Sequence, residues 1–208
     1  MVAYEVVTQL QRQGAEVEGL FLIDSIMPGT EAWSGIDLSA FDVDEFEVMS
    51  LVLIGNAYAG RWDIRDHLML EDVRGLAVER QLEVVTDFLV GRASVDLDRS
   101  MVSTLVRGTY EVIVGNNDAL ARYQPLPLRS SVPTRLFYAT HGFVGPGNPN
   151  GLPEMKRLDG DRTNGFGDFV GAGLTVQDMP ADHYTICRDE CIAEIAAVVA
   201  RGGSPNRA

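Results

Sequence analysis

Cysteine is almost absent from this sequence of 208 residues, which has two, Cys187 and Cys191. They stand four apart in a segment that reads as helix. That puts both on one face in poor geometry for a disulfide, and no second ligand pair is near enough to build a zinc site. We expect both to be buried, reduced thiols. Basic residues are also scarce: 17 Lys and Arg face 30 Asp and Glu, a formal net charge of −13. Such a balance repels nucleic-acid phosphates and anionic lipid surfaces alike. No window approaches the roughly 18–20 uninterrupted apolar residues of a membrane span, and residues 1–20 lack the basic-then-apolar layout of a secretory signal. Neither nucleic acid nor a membrane is therefore an expected partner, and the default compartment is cytoplasmic. Repeats and low-complexity tracts are missing too, so neither a solenoid nor a mainly disordered chain is expected.

What is present suffices for a core. Hydrophobic residues make up 46% and charged residues 23%, in a length that suits one globular domain. Residues 202–208, Gly-Gly-Ser-Pro-Asn-Arg-Ala, read as a flexible tail. Residues 2–14 place Val2, Val6, Leu10 and Gly14 at helical spacing, which predicts an amphipathic helix ended by glycine, although no capping residue precedes it. The apolar run at 17–23 ends in Asp24-Ser25 and has the character of a buried parallel strand. From about 28 to 125 the pattern becomes helical, with three- and four-residue apolar spacing over 42–57, 70–89 and 96–121. We take this as a helical insertion. Ser94 to Asp98 would cap its third helix, and Pro125-Leu126-Pro127 would close it. Strands are expected at 133–140 and 174–179, separated by a Gly/Pro/Asn-rich loop at 142–151. A last helix over 189–199 is apolar at Ile192, Ile195, Ala196 and Val199. The alternation describes an α/β fold, with parallel strands and flanking helices.

In such folds functional groups gather at the carboxyl ends of the strands. Asp24 directly follows the first strand, and His183 lies in the loop after the last, within Met179-Pro180-Ala181-Asp182-His183-Tyr184-Thr185-Ile186. A carboxylate that orients an imidazole, which then takes the proton of a nucleophile, is the acid and base pair of many hydrolases. Acid before histidine is the chain order of α/β-hydrolases. The other two histidines have ordinary explanations. His67 reads as a surface residue of the insertion, and His141 follows a strand end where many hydrolases place their acid, a role it cannot fill. Trp33 and Trp62 are expected in the core of the insertion.

The flanks of this pair resemble the thioesterase domains that release acyl chains from polyketide and nonribosomal-peptide assembly lines, the fungal non-reducing polyketide type above all. Met1-Val2-Ala3-Tyr4-Glu5-Val6-Val7 and Leu20-Phe21-Leu22-Ile23-Asp24-Ser25 match, in sequence and spacing, the helix after that family's Gly-x-Ser-x-Gly-Gly motif and the next strand. Ala181 stands where the family often has glycine, a mild departure. Asn164-Gly165-Phe166-Gly167 is similar to the family's loop before the last strand. The resemblance implies an α/β-hydrolase fold over residues 1–201, with residues 28–125 as a helical lid. It implies Asp24 and His183 as catalytic acid and base, no cofactor or metal, and an acyl carrier protein bearing a phosphopantetheine thioester as partner.

One part is missing. No Gly-x-Ser-x-Gly occurs anywhere, and no serine of the chain has the strand-to-helix setting of a nucleophile elbow. By the family's spacing the elbow serine would lie just upstream of Met1, so the expectation is the C-terminal part of the domain, inactive alone, with the N-terminal part as a possible partner. Ser25, beside the acid, is a poor substitute because it would face another direction. A strand at 17–23 without its neighbour would be an open edge, so self-association or poor solubility of the isolated chain is expected. Two other functions stay open: a non-catalytic module that binds acyl chains or carrier protein, which the acidic balance slightly disfavours, and a fragment of an ester-cleaving serine hydrolase.

Overall fold

The structure, a computed structural model, describes residues 2–28, 45–129, 132–145 and 161–202. In chain order its elements are α1 (Val2–Arg12), β1 (Leu20–Ile23), α2 (Glu45–Arg61), α3 (Leu70–Val73), α4 (Val78–Arg92), α5 (Arg99–Arg122), β2 (Thr134–Ala139), α6 (Gly167–Val170), a 3-10 turn (Gly171–Gly173), β3 (Leu174–Met179) and α7 (Asp189–Ala200). The chain divides into two compact units. The first comprises Met1–Asp37, Leu120–Pro146 and Glu154–Ala208; the second comprises Leu38–Ala119 and Gly147–Pro153. The tail from 203 onward, Trp33 and most of the loop at 142–151 lie outside the described residues.

The first unit is built on a sheet of order β1-β2-β3, parallel throughout. Leu22 lies opposite Leu136, and Leu136 opposite Val176. Alternation along the strands gives each face its own core. Leu20, Leu22 and Leu136 meet Tyr4 and Val7 of α1 together with Phe166 and Val170. On the other face Phe137, Ala139 and Met179 meet Ala181, Ile186 and, from α7, Ile195 and Val198. Leu22 and Leu136 are almost wholly buried, and each such side chain contributes about 2 kcal/mol.

Two helices turn a different face inward from the one their apolar spacing predicts. In α1 the row Val2, Val6 and Leu10 is exposed, by 79%, 48% and 37%, while Tyr4, Val7 and Thr8 are buried. An apolar row shows that a helix has a greasy stripe; which stripe meets the sheet depends on shape and on polar satisfaction. Tyr4 can go inside because its hydroxyl donates to the Leu126 carbonyl at 2.7 Å. In α7 the inward positions are Cys191, Ile195 and Val198, and Ile192 and Val199 are exposed. The expectation of two buried cysteines on one helical face fails for the same segment. Cys187 is exposed in the turn before α7, and Cys191 is half-buried within it; neither forms a disulfide.

The second unit holds α2, α3, α4 and most of α5, around buried Met49, Leu51, Val52, Leu82, Val85, Leu89, Val102 and Val106. The helix expected over 70–89 is two helices. Gly75 adopts φ 74°, a left-handed conformation that ends a helix at little cost only for glycine, and Gln81 caps the broken end by donating to the Val73 carbonyl at 3.1 Å. The cap expected before the third long helix is present at Asp98, whose Oδ1 accepts the Met101 N–H at 2.8 Å. Asn56 of α2 exchanges two hydrogen bonds with the backbone of Leu68, at 2.9 and 2.8 Å. Among the described residues no helix is long and apolar enough to cross a membrane.

Candidate active site

β1, β2 and β3 run the same way, so their carboxyl ends, with Asp24, His141 and the His183 loop, lie together. Asp24 sits one residue past β1. Its N–H still donates to the Phe137 carbonyl of β2 at 2.8 Å, continuing the ladder. Then the chain turns: Asp24 has φ 38°, a left-handed conformation that costs a non-glycine residue on the order of 1 kcal/mol and that Asp tolerates better than most. The turn aims the carboxylate along the strand ends. It is fully buried. Oδ1 accepts the Ala139 N–H at 3.0 Å, and Oδ2 lies 2.9 Å from His183 Nδ1.

The residues that the sequence singled out as acid and base thus meet across 159 positions of chain. With Nδ1 committed to Asp24 as donor, the neutral imidazole carries its lone pair on Nε2, at the far end of the ring. The His183 side chain is 34% exposed, so it is accessible to a reacting group. That combination, a buried carboxylate behind and a partly open base in front, is the arrangement that accepts a proton from a hydroxyl and stabilises the resulting imidazolium.

Several groups hold the imidazole there. Phe143 stacks on it with ring centroids 4.5 Å apart and planes inclined by 18°, and Tyr184 meets it edge-on at 5.2 Å. The His183 N–H donates to the Gly142 carbonyl at 3.2 Å. Asp182, buried, ties the loop at two points. Its Oδ1 accepts the N–H groups of Tyr184 and Thr185 at 3.0 and 2.8 Å and the Thr185 hydroxyl at 2.7 Å; its Oδ2 accepts the Gly145 N–H at 3.0 Å. The phenol of Tyr184 is pushed well above its ordinary pKa, first by burial and then by the charge of Asp182. Ala181 does not need to be glycine. It is absent from the residues with positive φ, and its N–H and C=O bond Met179 and His141 at 2.8 and 2.9 Å.

A third strut comes from the loop before β3. Asn164, buried and at φ 51°, directs its side-chain amide at the Ser25 carbonyl at 3.0 Å and at Asp24 Oδ1 at 3.5 Å. Sequence reasoning noted the Asn164-Gly165 pair without a role for it. An Asn-Gly dipeptide signals a left-handed turn, yet nothing local ties it to a carboxylate 140 residues away. Phe143 was missed for the same reason; Asp182 and Tyr184 flank His183 in the chain, and Asp182 caps the N–H groups of Tyr184 and Thr185 locally, but its bond to Gly145 and the stacking of His183 on Phe143 leave no local sign.

Other candidates separate from the pair. Ser25 Oγ donates to the Ile23 carbonyl at 3.3 Å. His67 is exposed in the helical unit, and His141 is exposed with its N–H on the Ala181 carbonyl. Among the described residues no group of three His, Cys, Asp or Glu could hold a metal ion.

No known protein family and no curated protein matches the sequence. Solved structures do match its fold. The four-domain nonribosomal peptide synthetase holo-AB3403, bound to AMP and glycine, shows a TM-score of 0.64 at 23% identity, over 96% of this chain and 13% of that one. The wild-type Vlm2 thioesterase domain shows a TM-score of 0.50 at 17% identity, over 96% of this chain and 64% of that one. The same domain carrying genetically encoded 2,3-diaminopropionic acid, bound with a dodecadepsipeptide, shows 0.50 at 17%, over 96% and 61%. The chain therefore spans less than two thirds of the length of these thioesterase-domain chains. Its parallel sheet, its flanking helices and these likenesses together make the fold α/β-hydrolase-like, of the kind that thioesterase domains adopt.

Proposed function

We propose that this chain supplies the acid and the base of a thioesterase-type centre, which releases an acyl chain from the phosphopantetheine thioester of a carrier protein. The observation that carries the proposal is the 2.9 Å contact between buried Asp24 and His183 Nδ1 at adjoining strand ends. The sequence has no Gly-x-Ser-x-Gly, so the hydroxyl nucleophile is assigned to a residue outside these 208. His183 Nε2 takes that hydroxyl's proton as the oxygen attacks the thioester carbonyl, and Asp24 stabilises the imidazolium. Collapse of the tetrahedral adduct breaks the C–S bond, and the proton passes from His183 to the departing thiolate. Water, or a nucleophile within the acyl chain, then attacks the acyl-enzyme by the same proton route, giving an acid, a lactone or a Claisen-type ring. The helical insertion is assigned the family's lid role over the acyl chain.

The test joins the chain to a segment carrying a nucleophile elbow and measures hydrolysis of a carrier-bound acyl thioester and of the matching oxygen ester. The expected result is thioester turnover that His183→Ala abolishes and that the chain alone does not show. Turnover indifferent to His183 would refute the assigned base. Carrier binding with no turnover favours the non-catalytic module, and a preference for the oxygen ester favours an esterase.

A further inference from the structure

We propose that Asn164 is a positioning residue for Asp24, making the loop before β3 a working part of the site; this deepens the acid–base reading and rests on it. Asp24 hangs on a left-handed residue at a strand end, where backbone rotation by a few tens of degrees would swing its carboxylate off the imidazole. β2 restrains one side, through the Phe137 carbonyl and the Ala139 N–H. Asn164 restrains the other. Its side-chain amide N–H donates to the Ser25 carbonyl at 3.0 Å, and its backbone carbonyl accepts the Met27 N–H at 2.9 Å. The segment leaving Asp24 is thus clamped at two points by one buried residue. The amide orientation follows from its partner, because a carbonyl oxygen requires a donor opposite it. The same amide stands 3.5 Å from Asp24 Oδ1, a weak contact, so the backbone clamp is the main effect.

Asn164 is itself held in place. Asp161 accepts the N–H groups of Thr163 and Gly165 at 2.8 and 2.7 Å and the Thr163 hydroxyl, forming a turn in which Asn164 and Gly165 take φ 51° and 80°. Asn is among the few side chains that accept such a φ. Alternatives that satisfy the backbone, glycine above all, have no amide to place on Ser25. The residue type therefore answers two demands at once.

The experiment uses the full chain, ¹⁵N-labelled, with the imidazole nitrogens of His183 observed by NMR above its titration midpoint. In the unsubstituted protein Nδ1 is expected to carry the proton. Asn164→Gly removes the amide while keeping the left-handed turn unstrained, and Asn164→Asp keeps the shape while removing the N–H donor. In both, the Nδ1–H fraction of His183 is expected to fall about twofold or more in favour of the Nε2–H form that free imidazole prefers. Val85→Ala, a destabilising change in the buried core of the second unit, is expected to leave that fraction unchanged, which separates positioning from general loosening. If either Asn164 variant folds and retains the full Nδ1–H population, the role of Asn164 is overturned and the acid–base pair stands. If the unsubstituted protein already shows Nε2–H, the acid–base reading fails, and this inference with it.

Discussion

Removing the Asp182 carboxylate is the sharpest probe of how the His183 loop is built. In Asp182→Ala the N–H groups of Tyr184 and Thr185 lose a cap-like acceptor, worth about 1 kcal/mol. The Gly145 N–H, buried where it meets Oδ2, is left without a partner, at a cost of about 2 kcal/mol. The sum is about 3 kcal/mol. Asp182→Asn keeps Oδ1 for the cap and turns an NH2 toward the Gly145 N–H, so only the second loss applies and about 1.5–2 kcal/mol is expected. For a chain of this size each kcal/mol moves Tm by about 2–4 °C, so the alanine variant should melt about 6–12 °C lower, with asparagine between. Urea titrations at constant m would resolve the order. Two variants equal to each other, or either within about 0.5 kcal/mol of the parent, would show that Asp182 does not hold the loop as described.

Gly75→Ala places a methyl where nothing stands within 4 Å, so its whole cost is the left-handed backbone, about 1–2 kcal/mol; a neutral result in a melt would contradict the helix break. Asp24→Asn in the chain joined to a nucleophile elbow should cut turnover on the order of 10⁴-fold, as amide replacement of the acid does in serine-protease triads, and a loss under about tenfold, measured as kcat, would remove Asp24 from the mechanism. For Asp161, burial alone would raise the pKa, but the bonds from Thr163 and Gly165 outweigh it and hold the carboxyl below its ordinary value. A group depressed in the folded state contributes stability that is present above the unfolded value, about 3.9, and is lost as pH falls through the folded one. The stability gap between parent and Asp161→Asn should therefore be open at pH 6 and close in acid; a gap that widens in acid reverses the sign and refutes the assignment.

Much of the fold was legible because strands of a buried parallel sheet announce themselves locally. The run at 174–179 coincides with β3, and 133–140 overlaps β2; short apolar stretches bounded by Gly and Pro leave few alternatives. Helix faces were less legible. Val2, Val6 and Leu10 form a credible stripe, and so do Tyr4, Val7 and Thr8; the burial of the second depended on a carbonyl at Leu126, far along the chain. The break at Gly75 has no clear local sign, because one glycine inside a periodic pattern is often tolerated.

By itself the sequence determined the α/β class and the places of Asp24 and His183 after two strands, since strand-end position follows from local pattern and parallel strands align their ends. Tertiary structure alone decided that Asp24 is buried and bonded to Nδ1 of His183, and that Phe143, Asp182 and Asn164 hold the pair. The contacts of Asp182 with Gly145, of Asn164 with Ser25 and of Asp24 with His183 span from 37 to 159 residues of chain. A contact of that kind leaves no period, cap or turn in the neighbourhood of either partner.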